Sequence, residues 1–82
     1  MNMEKRILEI RNCLDRHNIH HYFDGSFEDA NRPLTYYRIS LQCISFEVCR
    51  HISELGYVKE IRIIHSSVIN QMFLEIATAN ES

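Results

Sequence analysis

The chain has 82 residues, of which 45% are hydrophobic and 24% charged, with a formal net charge of −2. These values indicate one globular domain over 1–82 and exclude extensive disorder, and no apolar run approaches the about 18 residues that a transmembrane helix needs. The near-balanced charge, without a basic stripe, disfavours nucleic-acid binding through phosphate neutralisation.

The first predicted element is a helix over residues 3–17. Apolar side chains repeat at helical spacing from Met3 to Leu14, and charged side chains fill the other face. Asn2 can cap the start of this helix, and Asn18 can end it in a left-handed conformation. The segment is therefore expected to bury one stripe against the rest of the domain.

A short strand, a loop and a longer strand are predicted next. Residues 19–23 are short and aromatic-rich, which is typical of a strand. Residues 24–33 contain Gly25, the proline Pro33 and three acidic side chains, so they predict a long loop. Residues 35–43 alternate apolar and polar side chains, which predicts a strand with one face toward water.

The second half predicts a helix and two strands. Ser45 supplies an N-cap and Gly56 a left-handed residue beyond the helix, so the helix lies between them. Residues 58–65 and 71–78 are predicted strands. The sequence allows two positions for the turn between these strands, Ser66-Ser67 and Asn70-Gln71, and does not decide between them.

The predicted fold is α+β, an αββαββ two-layer sandwich in which two helices cover one face of a four-stranded antiparallel sheet. Strands 35–43 and 71–78 are expected in the centre, with 19–23 and 58–65 at the edges. Circular permutation of a ferredoxin-like βαββαβ domain, with the first strand moved to the end, gives this order. Such a likeness of fold carries no function by itself.

The cysteines indicate the compartment. Cys13, Cys43 and Cys49 are odd in number, form no CxxC motif and lie in apolar patterns. The N-terminal residues show no apolar region typical of a signal peptide. We therefore expect reduced thiols in a cytoplasmic protein without a membrane anchor.

Several histidines and one cysteine form the strongest candidate for metal or nucleophilic chemistry. Cys13 and His17 can share a helix face, with His20 or His21 approaching from the following strand. His20 and His21 point to opposite sides of a strand, however, and no established zinc or catalytic spacing occurs. Only two glycines are present, so a phosphate-binding loop is excluded. The prediction is no catalytic residue, metal or cofactor.

The sheet face away from the helices is the first candidate binding surface. Tyr and Arg are enriched at interface hot spots, and an exposed apolar patch usually has a partner. The alternative is an ordinary wet sheet face, stabilised by aromatic pairs across the strands. Alternation places nine side chains there: Tyr22, Tyr36, Arg38, Gln42, Glu60, Arg62, Ile64, Phe73 and Glu75.

The loop at 24–33 is the second candidate surface. Phe27 lies among acidic residues, including Glu28 and Asp29, and an apolar ring with an acidic rim suits docking to a basic partner. The alternative is that Phe27 folds back and covers the small core.

The sequence therefore favours a small non-catalytic domain that binds a larger protein, as a regulator or inhibitor, with homodimerisation through the sheet left open. The first alternative is a nucleic-acid-binding module of ferredoxin-like shape. The second is a small metal-dependent or cysteine hydrolase. The expected partner-binding residues are Tyr22, Phe27, Glu28, Asp29, Tyr36, Arg38, Arg62 and Phe73.

Overall fold

The computed structural model describes residues 3–80, which form two helices and four strands. The elements in chain order are α1 (Met3–Arg16), β1 (His21–Glu28), β2 (Leu34–Leu41), α2 (Phe46–Ser53), β3 (Val58–Ser66) and β4 (Gln71–Ala79). The α+β class and the order of the elements are confirmed. Among these residues, no helix is long and apolar enough to cross a membrane.

The strands form one open antiparallel sheet in the order β1-β2-β4-β3. The central position of the second and fourth strands is therefore confirmed. Leu41 of β2 lies opposite Met72 of β4, and Leu34 lies opposite Ala79, so the two central strands pair over their whole length. This pairing places alternate residues of both strands on a common face.

The hydrophobic core lies between one face of the sheet and both helices. Removal of these apolar side chains from water is the main favourable contribution to folding. The buried core side chains are Ile10, Cys13 and Leu14 of α1, Ile19, Tyr37, Ile39 and Leu41 around β1 and β2, Val48 and Ile52 of α2, and Leu74 and Ile76 of β4.

Of the three predicted helix caps that lie within the described residues, two are confirmed. Asn18 has a φ of 58° after α1, and the Val48 N–H donates to Ser45 Oγ at 3.3 Å at the start of α2. Gly56, however, does not adopt a left-handed conformation, so that prediction is wrong. Helix α2 ends instead at Glu54, whose N–H bonds to carbonyls of the last turn. The proposed Asn2 cap lies outside the described residues.

Strand β1 extends well beyond its predicted end. The prediction of a loop from residue 24 is wrong, because residues up to Glu28 pair with β2. Asp24 forms a bulge where the register shifts between Phe23 and Gly25. Gly25 has a φ of 151°, which a residue without Cβ adopts at little cost. The glycine therefore bends a strand where a turn was expected.

The other strand ends differ less from the prediction. Strand β2 stops at Leu41, so Gln42 and Cys43 lie beyond it. The turn between β3 and β4 occupies residues 67–70. It therefore includes one residue from each of the two turn positions that the sequence allowed, Ser67 and Asn70. Asn70 has a φ of 51°, which asparagine tolerates better than most residues.

Tyr57, in the α2–β3 connection, predicts a pH dependence of stability. Burial and the nearby Glu9 carboxylate raise the pKa of Tyr57 above its usual value. The folded state therefore holds the phenolic proton more tightly than the unfolded chain, whose tyrosine pKa is about 10. This contribution to stability is complete below about pH 10 and is lost as pH rises further. Chemical denaturation at increasing alkaline pH should show a steeper loss for the native chain than for Tyr57→Phe, and equal slopes would contradict the assignment.

Candidate functional site

The sheet face opposite the helices carries a row of rings and charges, which we call the open face. Its members come from all four strands and are Tyr22 and Phe27 of β1, Tyr36 and Arg38 of β2, Phe73 and Glu75 of β4, and Glu60, Arg62 and Ile64 of β3. Arg38 lies opposite Glu75, and Glu75 lies opposite Arg62, so charges of alternating sign cross the sheet. The predicted set of side chains thus shares one face, apart from Gln42.

Arg38 lies at the centre of the open face. Its Nη2 lies 2.6 Å from Oε2 of the buried Glu75. Its Cζ lies 5.6 Å from the ring centroids of both Phe27 and Phe73. A guanidinium between two rings gains cation–π attraction, and its charge is matched by the carboxylate beneath it. The outer side of the Arg38 side chain remains in water.

Tyr36 is not available for contact, which corrects the prediction of an open ring. Its exposed fraction is only 6%. The Phe27 ring covers it, with 5.0 Å between the centroids and 5° between the planes. Its hydroxyl also lies 3.3 Å from Asp29 Oδ2 and accepts a hydrogen bond from Arg32. Tyr36 therefore supports the open face from below.

Phe27 does not cover the core, which was one of the two alternatives for this ring. It folds back over the sheet, but onto Tyr36 on the open face and away from the helix-covered core. Its exposed fraction is still 44%. An alanine at Phe27 would therefore remove both contact area and the cover of a buried ring.

The acidic segment after β1 is a closed turn. The Asn31 N–H donates to Asp29 Oδ1 at 2.8 Å, and Arg32 Nε lies 3.3 Å from Asp29 Oδ2. The backbone hydrogen bond from Asn31, followed by the interactions with Arg32, lowers the pKa of Asp29. Asp29 therefore holds the turn together. Glu28, the last residue of β1, is exposed, but it lies opposite Thr35 on the helix side of the sheet and lines a pocket with Met3 and Arg6, so it does not share a face with Phe27 as predicted.

Tyr22 is the most exposed ring of the open face, with an exposed fraction of 71%. It lies opposite Ser40, toward the other end of β1 from Phe27. Arg62 is also exposed, and its Nε lies 3.9 Å from Glu60 Oε1. Together with Phe27 and Arg38, these side chains form the part of the open face that a partner could touch.

The histidines have contacts other than those of the candidate group with Cys13. His17 Nε2 lies 3.1 Å from His51 Nδ1, so α1 and α2 meet through two imidazole rings. His21 instead contacts the Ile19 carbonyl at 2.9 Å, and His20 is exposed. Within residues 3–80, no group of three or more His, Cys, Asp or Glu side chains could hold a metal ion.

Cys13 and Cys49 lie in different surroundings. Arg16 Nη2 lies 3.2 Å from the Sγ of buried Cys13, and burial raises the pKa of the Cys49 thiol. A reactive cysteine needs the opposite shift, because the thiolate is the nucleophile. Cys13 lines a pocket together with His17 and His51, but within residues 3–80 no hydrogen bond joins Cys13 or Cys49 to a histidine.

Sequence reasoning missed two contributions to these sites. His51 is 34 positions from His17, and nothing in the local pattern of α2 indicates the contact. The face of Phe27 depends on the bulge at Asp24, which reverses the alternation along β1. An Asp-Gly pair inside an aromatic-rich segment was the one available signal for that bulge.

Comparison of the chain with protein-family models, curated proteins and solved structures finds no match.

Proposed function

We propose that the chain is a non-catalytic interaction domain of the cytoplasm, which regulates or inhibits a larger protein by docking through the open face. The observation that carries this proposal is the exposure of Tyr22 and Phe27 beside Arg38 on a sheet face that neither helix covers. Tyrosine and arginine are the side chains that most often dominate binding energy in protein interfaces.

The fold is compatible with this role. The strand order β1-β2-β4-β3 is the order that circular permutation of a ferredoxin-like domain produces, and we assign the chain to that architecture. Such a sheet presents one rigid face while the helices stabilise the other. A rigid surface loses little conformational entropy on binding, which favours affinity.

The charges favour a protein partner over a nucleic acid. The guanidinium of Arg38 contacts Glu75, and that of Arg32 contacts Asp29, so both cations are matched within the chain. Binding to phosphates requires cations that are free to displace counterions. Glu28 at the end of β1 lies opposite Thr35, on the sheet face away from the rings, so its charge does not add to the open face. A protein surface with apolar and mixed polar groups matches this pattern better.

Site-specific crosslinking at Tyr22 tests the proposal. A photo-reactive phenylalanine analogue at Tyr22 should crosslink one major protein in extract of the native cell. The same analogue at Leu8, an exposed apolar position on α1, is the matched control and should not give that product. The captured protein, once purified, should bind the native chain, and Tyr22→Ala should weaken that binding at least about tenfold.

Two results would contradict the proposal. One is the same set of products from the Tyr22 and Leu8 positions, and the other is unchanged affinity of the purified partner for Tyr22→Ala. Salt-sensitive binding of RNA, measured by fluorescence anisotropy and lost in Tyr22→Ala, would replace the protein partner by a nucleic acid. We use Tyr22 because its ring has no stacking partner among the described residues, whereas replacement of Phe27 also uncovers Tyr36.

A further inference from the structure

The two edges of the sheet differ in their ability to accept another strand. The β1 edge is interrupted in its middle by the bulge at Asp24. The β3 edge has a bulge only near its start, between Val58 and Glu60, and is regular from Glu60 to Ser66. A regular edge presents unpaired backbone N–H and C=O groups that can pair with a further strand.

The β3 edge also carries unusual apolar exposure. Ile63 of β3 has an exposed fraction of 52%, and Phe46 at the start of α2 has one of 84%. A groove of about 330 Å³ lies between α2 and β3 and is lined by Phe46, Val58 and Ile61. Its apolar side chains adjoin the open edge, so a strand added there would find both backbone and side-chain contacts.

Charge identifies a second copy of the chain as the occupant. Glu60 and Arg62 lie two residues apart on the same face of β3. If two β3 strands pair antiparallel about a twofold axis through Ile61, Glu60 of each copy lies directly opposite Arg62 of the other. Opposite charges in this position stabilise a strand pair, and like charges destabilise it.

The same charges exclude the neighbouring registers. In an antiparallel pair of β3 strands, side chains that lie directly opposite each other point to the same face of the sheet. Alternative registers therefore differ by a shift of the twofold axis from one residue of β3 to the next. An axis through Arg62 places two guanidinium groups opposite each other, and an axis through Glu60 places two carboxylates opposite each other. Of these three registers, only the one centred on Ile61 places opposite charges against each other.

We propose that the chain forms a twofold dimer by antiparallel pairing of β3 with β3 of a second copy, centred on Ile61. This register pairs Glu60 to Arg62 of the two copies on the regular part of the edge and brings Ile63 of each copy near the bulged Lys59 of the other, beside the groove that Phe46 lines. The sheet becomes continuous across both copies. The inference goes beyond the proposed function, because β3 is the opposite edge of the sheet from Tyr22 and Phe27.

Charge reversal with rescue tests the dimer. The molar mass of the native chain should rise from one copy to two with increasing concentration in sedimentation equilibrium. Arg62→Glu sets two like-charged pairs across the interface, and so does Glu60→Arg, so each single variant should raise the dimer Kd by about tenfold or more. The double variant Glu60→Arg/Arg62→Glu restores opposite charges and should return the Kd close to the native value.

Controls separate the dimer from effects on folding. Glu60 and Arg62 are exposed, so all variants should keep the native circular dichroism spectrum and thermal midpoint. Arg11→Glu, an exposed charge reversal on α1, should leave the dimer Kd unchanged. A native chain that stays monomeric at every concentration would overturn the proposal. So would a dimer whose Kd ignores the single reversals, or a double variant no tighter than the single ones.

Discussion

Leu74→Ala should lower the free energy of unfolding by about 3 kcal/mol, which is a large share of the stability of a domain this small. Leu74 lies on the central strand β4, is fully buried and belongs to the core that joins the sheet to both helices. Removal of its side-chain atoms loses their burial and leaves a cavity. The thermal midpoint, measured by circular dichroism, should fall by roughly 12–24 °C.

Leu8→Ala is the matched control for this substitution. Leu8 is exposed on α1, and a change of an exposed side chain usually alters stability by less than about 0.5 kcal/mol. Similar losses for the two variants would contradict the placement of Leu74 between the sheet and the helices. A small effect at Leu74 alone would contradict it in the same way.

Arg38→Met should cost about 2 kcal/mol of stability, although nearly half of the Arg38 side chain is exposed. The reason is Glu75, which is buried and has Arg38 Nη2 at 2.6 Å. Without the guanidinium, the carboxylate would stay in a poorly solvated position and would lose its close ion pair, since Arg62 lies opposite Glu75 but forms its ion pair with Glu60. The expected loss of stability is smaller than for a fully buried ion pair, because water reaches one side of Arg38. Urea denaturation measures the loss.

A double-mutant cycle distinguishes this electrostatic cause from lost packing. Glu75→Gln removes the buried charge with little change of shape, so Arg38→Met/Glu75→Gln should be more stable than Arg38→Met alone, recovering about half of the loss. If the two substitutions are simply additive, the ion pair does not determine the stability of the open face. That result would also mean that Glu75 does not hold Arg38 between the rings of Phe27 and Phe73.

Local pattern was sufficient to predict most of the fold. Helical spacing located α1, and Ser45 marked the start of α2 because its hydroxyl can bond a free backbone N–H of the first turn. Alternation located β2, in which Arg38 is exposed between the buried Tyr37 and Ile39, whereas β4 is buried on both faces from Leu74 to Thr78. The two hairpins followed from the sequential pairing of neighbouring strands, and the central position of β2 and β4 followed from the permuted ferredoxin-like arrangement.

The errors occurred where one local signal fits two conformations. The Asp24-Gly25 pair is typical of a turn, but the same glycine also suits a bulge within a strand, and only the pairing of β1 with β2 selects the bulge. Gly56 is typical of a left-handed cap, yet α2 ends at Glu54 before reaching it. In both cases the deciding contacts are distant in sequence.

The sequence predicted which side chains lie on the open face better than it predicted how exposed each of them is. Alternation along β2 placed Tyr36 and Arg38 together correctly. Burial of Tyr36 depends on Phe27, which reaches the same face only because the bulge reverses the alternation of β1. The turn formed by Asp29 and Arg32 then closes over the Tyr36 hydroxyl. A pattern within one strand cannot show such contacts between strands.

Proton resonances of the aromatic rings in the presence of an uncharged paramagnetic agent give the most direct test of the central claim, that the helices cover one sheet face and leave the other bare. The rings of Tyr22 and Phe27 should broaden strongly, while that of Tyr37, buried beneath the helices, should stay sharp. Equal protection of Tyr22, Phe27 and Tyr37 in the monomeric chain would contradict the claim and remove the docking surface.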